Sequence, residues 1–272
     1  MSTTSRPTIA FFGATGGCTL NCLILALNAG YECNALIRTP HKLTTLLATH
    51  NIDTNATANL HIIPGSADDL PAVRQTLLRP APTPTDESQP VDLIISGIGS
   101  KPKFDSLLRP TLENPTVCQD AMRTVLRALH SLPTPPSHPP TKPKLVVIST
   151  TGVDSKRDVP CLMLPLYQWM LKVPHADKKV MEELILAEGA REDPALAGYM
   201  IVRPSLLIDG EAGEGLEKVR VGTEAEPAVG YTITRAEVGR WIYENAVVGF
   251  ERNGGDGKGE RGYWGRLVSI TH

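Results

Sequence analysis

The sequence predicts an α/β fold: a doubly wound parallel sheet flanked by helices, with a small lobe toward the C-terminus. Three observations carry that expectation. Strand-length apolar runs alternate with helical patterns from residue 8 onward, the signature of repeated βαβ units. The runs at 91–96 (VDLIIS) and 144–149 (KLVVIS) are continuous and rich in β-branched residues, as strands covered on both faces by helices are. A glycine-rich turn joins the first strand to the first helix.

Taken in order, residues 8–12 form the first strand and 20–28 the first helix. A strand at 33–37, a helix at 41–49, a strand at 60–64 and a helix at 70–78 complete the next units. Segments 79–90, 131–143 and 253–262 are rich in Pro and Thr, in Pro, and in Gly with charge. Such compositions bury too little apolar area to offset their ordering entropy, so they read as surface loops. The Gly- and Glu-rich stretch 211–230 reads as either a substrate loop or a disordered flap. Its place after the strand ending at Arg203 and Pro204 favours the loop. One domain is expected over residues 1–272, with 153–230 and 250–272 contributing a small substrate-binding lobe.

The bulk numbers narrow the partners. A chain of 272 residues can bury one large core. The net charge of −2, from 27 basic and 29 acidic residues mixed along the chain, lacks the footprint of a nucleic-acid or anionic-lipid binder. Cys18, Cys22, Cys33, Cys118 and Cys161 form no CxxC pair and read as reduced thiols, mostly buried. The seven histidines are scattered without a ligand pattern, so no metal site is expected. The most apolar stretch, 161–171, is interrupted by Pro165 and Gln168 and is too short to span a bilayer. With no signal-like segment at the start, a cytoplasmic protein with a small-molecule partner is expected; its oligomeric state is not legible.

The first strand runs into Gly13-Ala14-Thr15-Gly16-Gly17-Cys18-Thr19 and then a helix. A missing side chain lets the backbone turn tightly and a pyrophosphate approach, while the N–H groups at the helix start favour negative charge. An ordinary strand-to-helix turn is the plain alternative, but the βαβ units behind it favour dinucleotide binding. At the end of the second strand, where a carboxylate usually serves NAD, stand Arg38 and, after Pro40 and His41, Lys42. A guanidinium fork suits a 2′-phosphate, so NADP(H) is the expected cofactor.

The chain resembles the atypical short-chain dehydrogenase/reductase superfamily, a Rossmann-like fold, and in particular its NmrA-like and biliverdin-reductase-B-like branches. The likeness rests on Gly13 to Gly16, Ala35 to Pro40, Gly65 to Leu70, Ser96 to Gly99, Val147 to Gly152, Ile201 to Ser205 and Ile233 to Val238. It implies that Gly13, Thr15 and Gly16, with Gly17, Cys18 and Thr19 at the helix start, hold the pyrophosphate. Arg38 would meet the 2′-phosphate, and Ser66 and Ala67 would line the adenine. Ser96, Gly97 and Ile98 would run along the ribose and nicotinamide, joined by Ser149, Thr150 and Lys178, and Pro204 and Ser205 would close over the nicotinamide amide.

Two positions depart from the family pattern. Its third glycine is replaced by Thr19, which is expected to push the helix off the strand, with Gly17 loosening the turn in compensation. The Tyr-x-x-x-Lys pair is also absent: Tyr167 is followed by Leu171, with Lys172 one place late. The resemblance implies that Thr151 stands where the superfamily places its hydroxyl near the nicotinamide. The segment opening at His175 resembles the place where isoflavone-reductase-like relatives carry a single catalytic lysine, and Tyr167 is the third candidate. Counting back from Ala187 points to Lys178 and counting forward from His175 to Lys179; Lys178 is preferred. Thr151 is placed to donate to a carbonyl gaining charge. Tyr167 and Trp169 would wall an apolar pocket, and His175 is a candidate acid.

The leading expectation is an NADPH-dependent reductase of a small apolar carbonyl, enone or quinone-like compound. A non-catalytic NADP(H) sensor of the NmrA-like kind and a non-redox isomerase, dehydratase or cyclase stay open beside it.

Overall fold

The structure, a computed structural model, describes residues 6–52, 54–80, 89–100, 102–103, 111–132, 141–153, 157–210, 216–252 and 262–272. Most of each loop expected at 79–90, 131–143 and 253–262 lies outside these residues.

The strands are β1 Ile9–Phe12, β2 Cys33–Ile37, β3 Leu60–Pro64, β4 Leu93–Ser96, β5 Pro102–Lys103, β6 Thr111–Leu112, β7 Lys144–Ile148, β8 Gly198–Pro204, β9 Leu206–Ile208, β10 Arg220–Thr223, β11 Thr232–Thr234 and β12 Arg266–Thr271. The helices are α1 Gly17–Asn28, α2 Pro40–Thr49, α3 Thr54–Thr57, α4 Leu70–Thr76, α5 Val117–His130, α6 Leu164–Met170, α7 Lys172–Gly189, α8 Arg235–Ile242 and α9 Gly249–Arg252. Eight strands form the central sheet in the order β10-β12-β8-β7-β4-β1-β2-β3. Every pairing in it is parallel except β10 with β12.

Period-two burial explains why both faces are covered. Along β1, Ile9 and Phe11 pack into one apolar cluster with α1, α2 and α8, while Ala10 and Phe12 pack into a second with α4, α5 and α7. Helix α5 turns Cys118, Ala121, Met122, Val125 and Leu129 inward, the spacing of a single apolar face. The chain runs outward from β1 through β2 to β3 and then returns to β4 on the other side of β1. That reversal opens a crevice beyond the carboxyl ends of β1 and β4, the usual ligand position in such sheets.

Two expectations need correction. The stretch 211–230 is not simply a loop, because it contains β10, which pairs with β12 at the sheet edge. The proposed lobe is smaller than 153–230 plus 250–272, since β8, β10 and β12 all belong to the central sheet. The alternation of the first half is what revealed the sheet; β8 continues it through α7, while the antiparallel β10 breaks it. Outside the sheet remain the segment carrying α6 and the separate parallel pair of β9 and β11.

Candidate functional site

At the crevice, a cavity of about 570 Å³ is lined by Gly13, Thr15 and Gly16 from the first turn. Arg38, Thr39 and Lys42 close it after β2, Ser66 and Ala67 after β3, and Gly97, Ile98 and Gly99 after β4. Its volume is that of an ordinary small-ligand cleft. Gly13 adopts φ +75°, and a Cβ there would lie 2.8 Å from the Gly97 carbonyl, so both conformation and space demand glycine. Gly16 donates its N–H to the Gly13 carbonyl at 2.9 Å, tightening the turn.

Thr19 occupies space that the sequence assigned to a disturbance of the helix. Its hydroxyl would stand 1.9 Å from any Cβ at position 97. The side chain missing from Gly97 makes room for the one added at Thr19, and Gly17 is not the compensating residue. A methyl group at Gly17 would meet Arg235 Cδ at 2.7 Å, so that glycine answers to α8. Cys18 and Thr19 bury their side chains, leaving their backbone N–H groups as what the first turn of α1 can offer an anion.

Deeper along the crevice, Lys178 and not Lys179 turns inward. Its ammonium donates to the Ile98 carbonyl at 2.9 Å and to the Ile148 carbonyl at 2.7 Å, bridging the ends of β4 and β7, whereas Lys179 is exposed. The preceding residue locks the helix carrying it: Asp177 is buried and accepts from the Cys118 and Gln119 N–H groups at 2.9 and 3.0 Å. These are first-turn donors of α5 that have no partner within that helix. The Cys118 thiol donates to the same Ile98 carbonyl at 3.3 Å, and burial pushes its pKa up to about 11.

Beyond β7 the hydroxyls of Thr151 and Tyr167 stand 3.4 Å apart and both residues are buried. Burial raises the Tyr167 pKa, opposed by the Thr151 hydroxyl and by the Leu206 backbone. The His175 ring lies 5.4 Å from that of Tyr167. Burial lowers the pKa of His175 to about 4, so it is a neutral neighbour and a poor acid at pH 7. Both rings crowd Gly152, whose φ is +82°. The buried hydroxyl of Ser149 and Nε2 of His175 have no hydrogen-bond partner among the described residues, which leaves them open to a ligand.

The remaining expected residues lie near the crevice without lining this cavity. Ser96 ends β4, buried, and Thr150 donates its hydroxyl to the Thr151 carbonyl at 3.2 Å. Pro204 accepts from the Thr151 N–H at 3.0 Å. The Ser205 hydroxyl is engaged with that of Thr271 at 2.8 Å, so only its backbone remains for a ligand. Among the described residues no group of His, Cys, Asp and Glu could hold a metal, and no helix is long and apolar enough to cross a membrane.

No family model matches the chain. Reductase pytE of Aspergillus terreus is 50% identical to it over 277 residues, covering 98% of this chain and 99% of the relative. The chain belongs to the same family as this reductase. This family member is also 44% identical over 267 residues to oxidase pynE of Aspergillus niger, covering 90% and 94% of the two chains. Among solved structures its fold matches the anaerobillin reductase ChuY of Escherichia coli O157:H7, with a TM-score of 0.59 and 20% identity over 97% and 96% of the chains. The oxidoreductase ylbE of Lactococcus lactis matches with a TM-score of 0.60 and 16% identity over 97% and 90%. Of the readings open to the sequence, the oxidoreductase is the one its relatives support, and the protein is an oxidoreductase.

Proposed function

We propose that the chain is an NADPH-dependent reductase of small apolar carbonyl, enone or quinone-like compounds. The observation that carries the cofactor reading is the convergence of Arg38 and Lys42 on the cavity formed by Gly13, Thr15 and Gly16. Residues far apart in sequence supply a backbone cradle for a pyrophosphate and, at one side, two cations for a phosphate on the ribose. The tight approach of Gly13 to Gly97 keeps the cradle free of side chains, which fits a dinucleotide.

The substrate reading rests on the surroundings of Tyr167. Leu162, Leu164, Trp169 and Ile208 are exposed by 79%, 37%, 55% and 41% on the segments that flank it. Three of these apolar side chains fall within residues 162–169, and their exposure beside Tyr167 in the sequence supports an apolar substrate.

When bound, the reduced nicotinamide supplies a hydride to the substrate carbon. On the protein's side, Lys178 fixes the spacing of the β4 and β7 ends and keeps a third N–H for a ribose hydroxyl. Tyr167, held protonated by burial, hydrogen-bonds the substrate oxygen and yields its proton as that oxygen becomes an alkoxide. Thr151 provides a second donor to the same oxygen.

The test is a fluorescence titration with NADPH and NADH of wild type and Arg38→Ala, followed by a carbonyl and quinone panel. Micromolar NADPH affinity lost in the variant, with turnover of an apolar carbonyl, is the expected result. Equal affinity for both cofactors overturns the NADPH assignment, and no turnover across the panel overturns the substrate class.

A further inference from the structure

We infer that Arg235 is a third cationic side chain of the dinucleotide site, after Arg38 and Lys42, set to grip the pyrophosphate from α8. This rests on the dinucleotide reading above and adds a residue, from the far end of the chain, to which neither the glycine motif nor the cavity lining draws attention.

Arg235 opens α8 directly after β11. Its backbone is firmly placed. Thr234 and Glu237 form a reciprocal capping box at the start of α8, an arrangement that satisfies two otherwise orphaned N–H groups. A Cβ at Gly239 would lie 2.4 Å from the Cys18 carbonyl and 3.0 Å from the Cys22 nitrogen, so α8 rests backbone to backbone on the first half of α1. Docked in this way, α8 lays the Arg235 stem across Gly17, with Cβ, Cγ and Cδ at 3.2, 3.5 and 2.7 Å from where a side chain there would begin. Gly17 is the first residue of α1, one position after the Gly16 that lines the cavity. Arg235 therefore supplies, from another helix, the side chain that position 17 lacks.

The charge is felt where it matters. Burial pushes the Cys18 thiol up to about 12, and Arg235 is the leading influence in the opposite direction, ahead of Lys178. The guanidinium meets Asp209 at 2.7 Å, yet that carboxylate is 93% exposed. Such solvent-facing pairs contribute little, so the guanidinium is held near the cradle by a partner it can readily exchange for a doubly charged pyrophosphate at a helix start.

The experiment compares wild type, Arg235→Gln, Arg235→Lys and Arg38→Ala. Binding of NADPH is titrated by fluorescence at two salt concentrations, binding of adenosine 2′-monophosphate by calorimetry, and unfolding is followed by circular dichroism. Arg235→Gln is expected to weaken NADPH binding roughly ten- to a hundredfold and flatten its salt dependence. It should leave adenosine 2′-monophosphate, which has no pyrophosphate, bound as in wild type. Arg235→Lys should recover most of the NADPH affinity, and Arg38→Ala should weaken both ligands. Unchanged NADPH affinity in Arg235→Gln overturns the proposal. Equal weakening of both ligands, or a lowered unfolding midpoint with no recovery in Arg235→Lys, also overturns it by making the residue merely structural. Wild type that binds no NADPH at all would instead remove the dinucleotide reading itself.

Discussion

The two ends of the crevice are built in different ways. The end holding Gly13, Thr15, Arg38 and Ser66 is made of short turns that each follow a strand of the central sheet. The end holding Thr151, Tyr167, His175 and Lys178 is stitched together by side chains, with Lys178 reaching Ile98 across 80 residues of sequence and Asp177 reaching Cys118 across 59. The first kind of site is held in shape mainly by backbone turns and suits a ligand that many chains of one fold can share. The second depends on individual side chains, so it can be altered without disturbing the first.

The sharpest way to break that comparison is Tyr167→Phe. If the deeper end is where chemistry resides, kcat falls about 10²-fold or more, the usual worth of a positioned proton donor. NADPH affinity should stay unchanged. A fall in affinity of similar size, measured by titration, would mean that the two ends are not separable.

Arg38→Ala is the converse. It should weaken NADPH about ten- to a hundredfold, the worth of lost charge-assisted hydrogen bonds, and leave NADH binding and the kcat at saturating NADPH close to wild type.

Gly97→Ala tests the joint between the ends, because the new methyl would fall 1.9 Å from the Thr19 hydroxyl. Overpacking of this kind costs about 1–3 kcal/mol, read as a lower urea midpoint. Thr19→Ala in the same chain should restore most of that loss, since the two residues share one space.

The smallest effect concerns pH. His175 has a pKa of about 4 in the folded chain against an ordinary 6.5. Between those values the unfolded chain takes up a proton that the folded one refuses, so stability falls as pH drops from 6.5 toward 4. His175→Phe should show a shallower fall, measured as the difference between unfolding midpoints at about pH 7.5 and about pH 5.

The same contrast governs what the sequence disclosed. Strand, glycine turn and helix follow one another within residues 9–28, so this turn is legible from spacing and residue type alone, and the place of Arg38 beside the cavity from its position at a strand end. Lys178 could be approached only by counting along a helix, and the choice over Lys179 needed the strand ends it bridges. Arg235 falls inside the family likeness at 233–238 without a visible role, since nothing local reveals that α8 lies on α1. Thr19 read as a flaw for the same reason: its explanation is a missing side chain 78 positions away, from 19 to 97. The edge strand β10 and its neighbour β12 escaped because they pair with each other across a long separation.

Asp177 and Lys178 are neighbours in sequence, yet one ties α7 to the start of α5 and the other ties it to two strands. For anyone building a chimaera, the span from Ile98 to Lys178 therefore has to move together. A graft with one boundary between Cys118 and Asp177 would separate a carboxylate from the helix it caps, and the lysine would drift although its own codon was untouched.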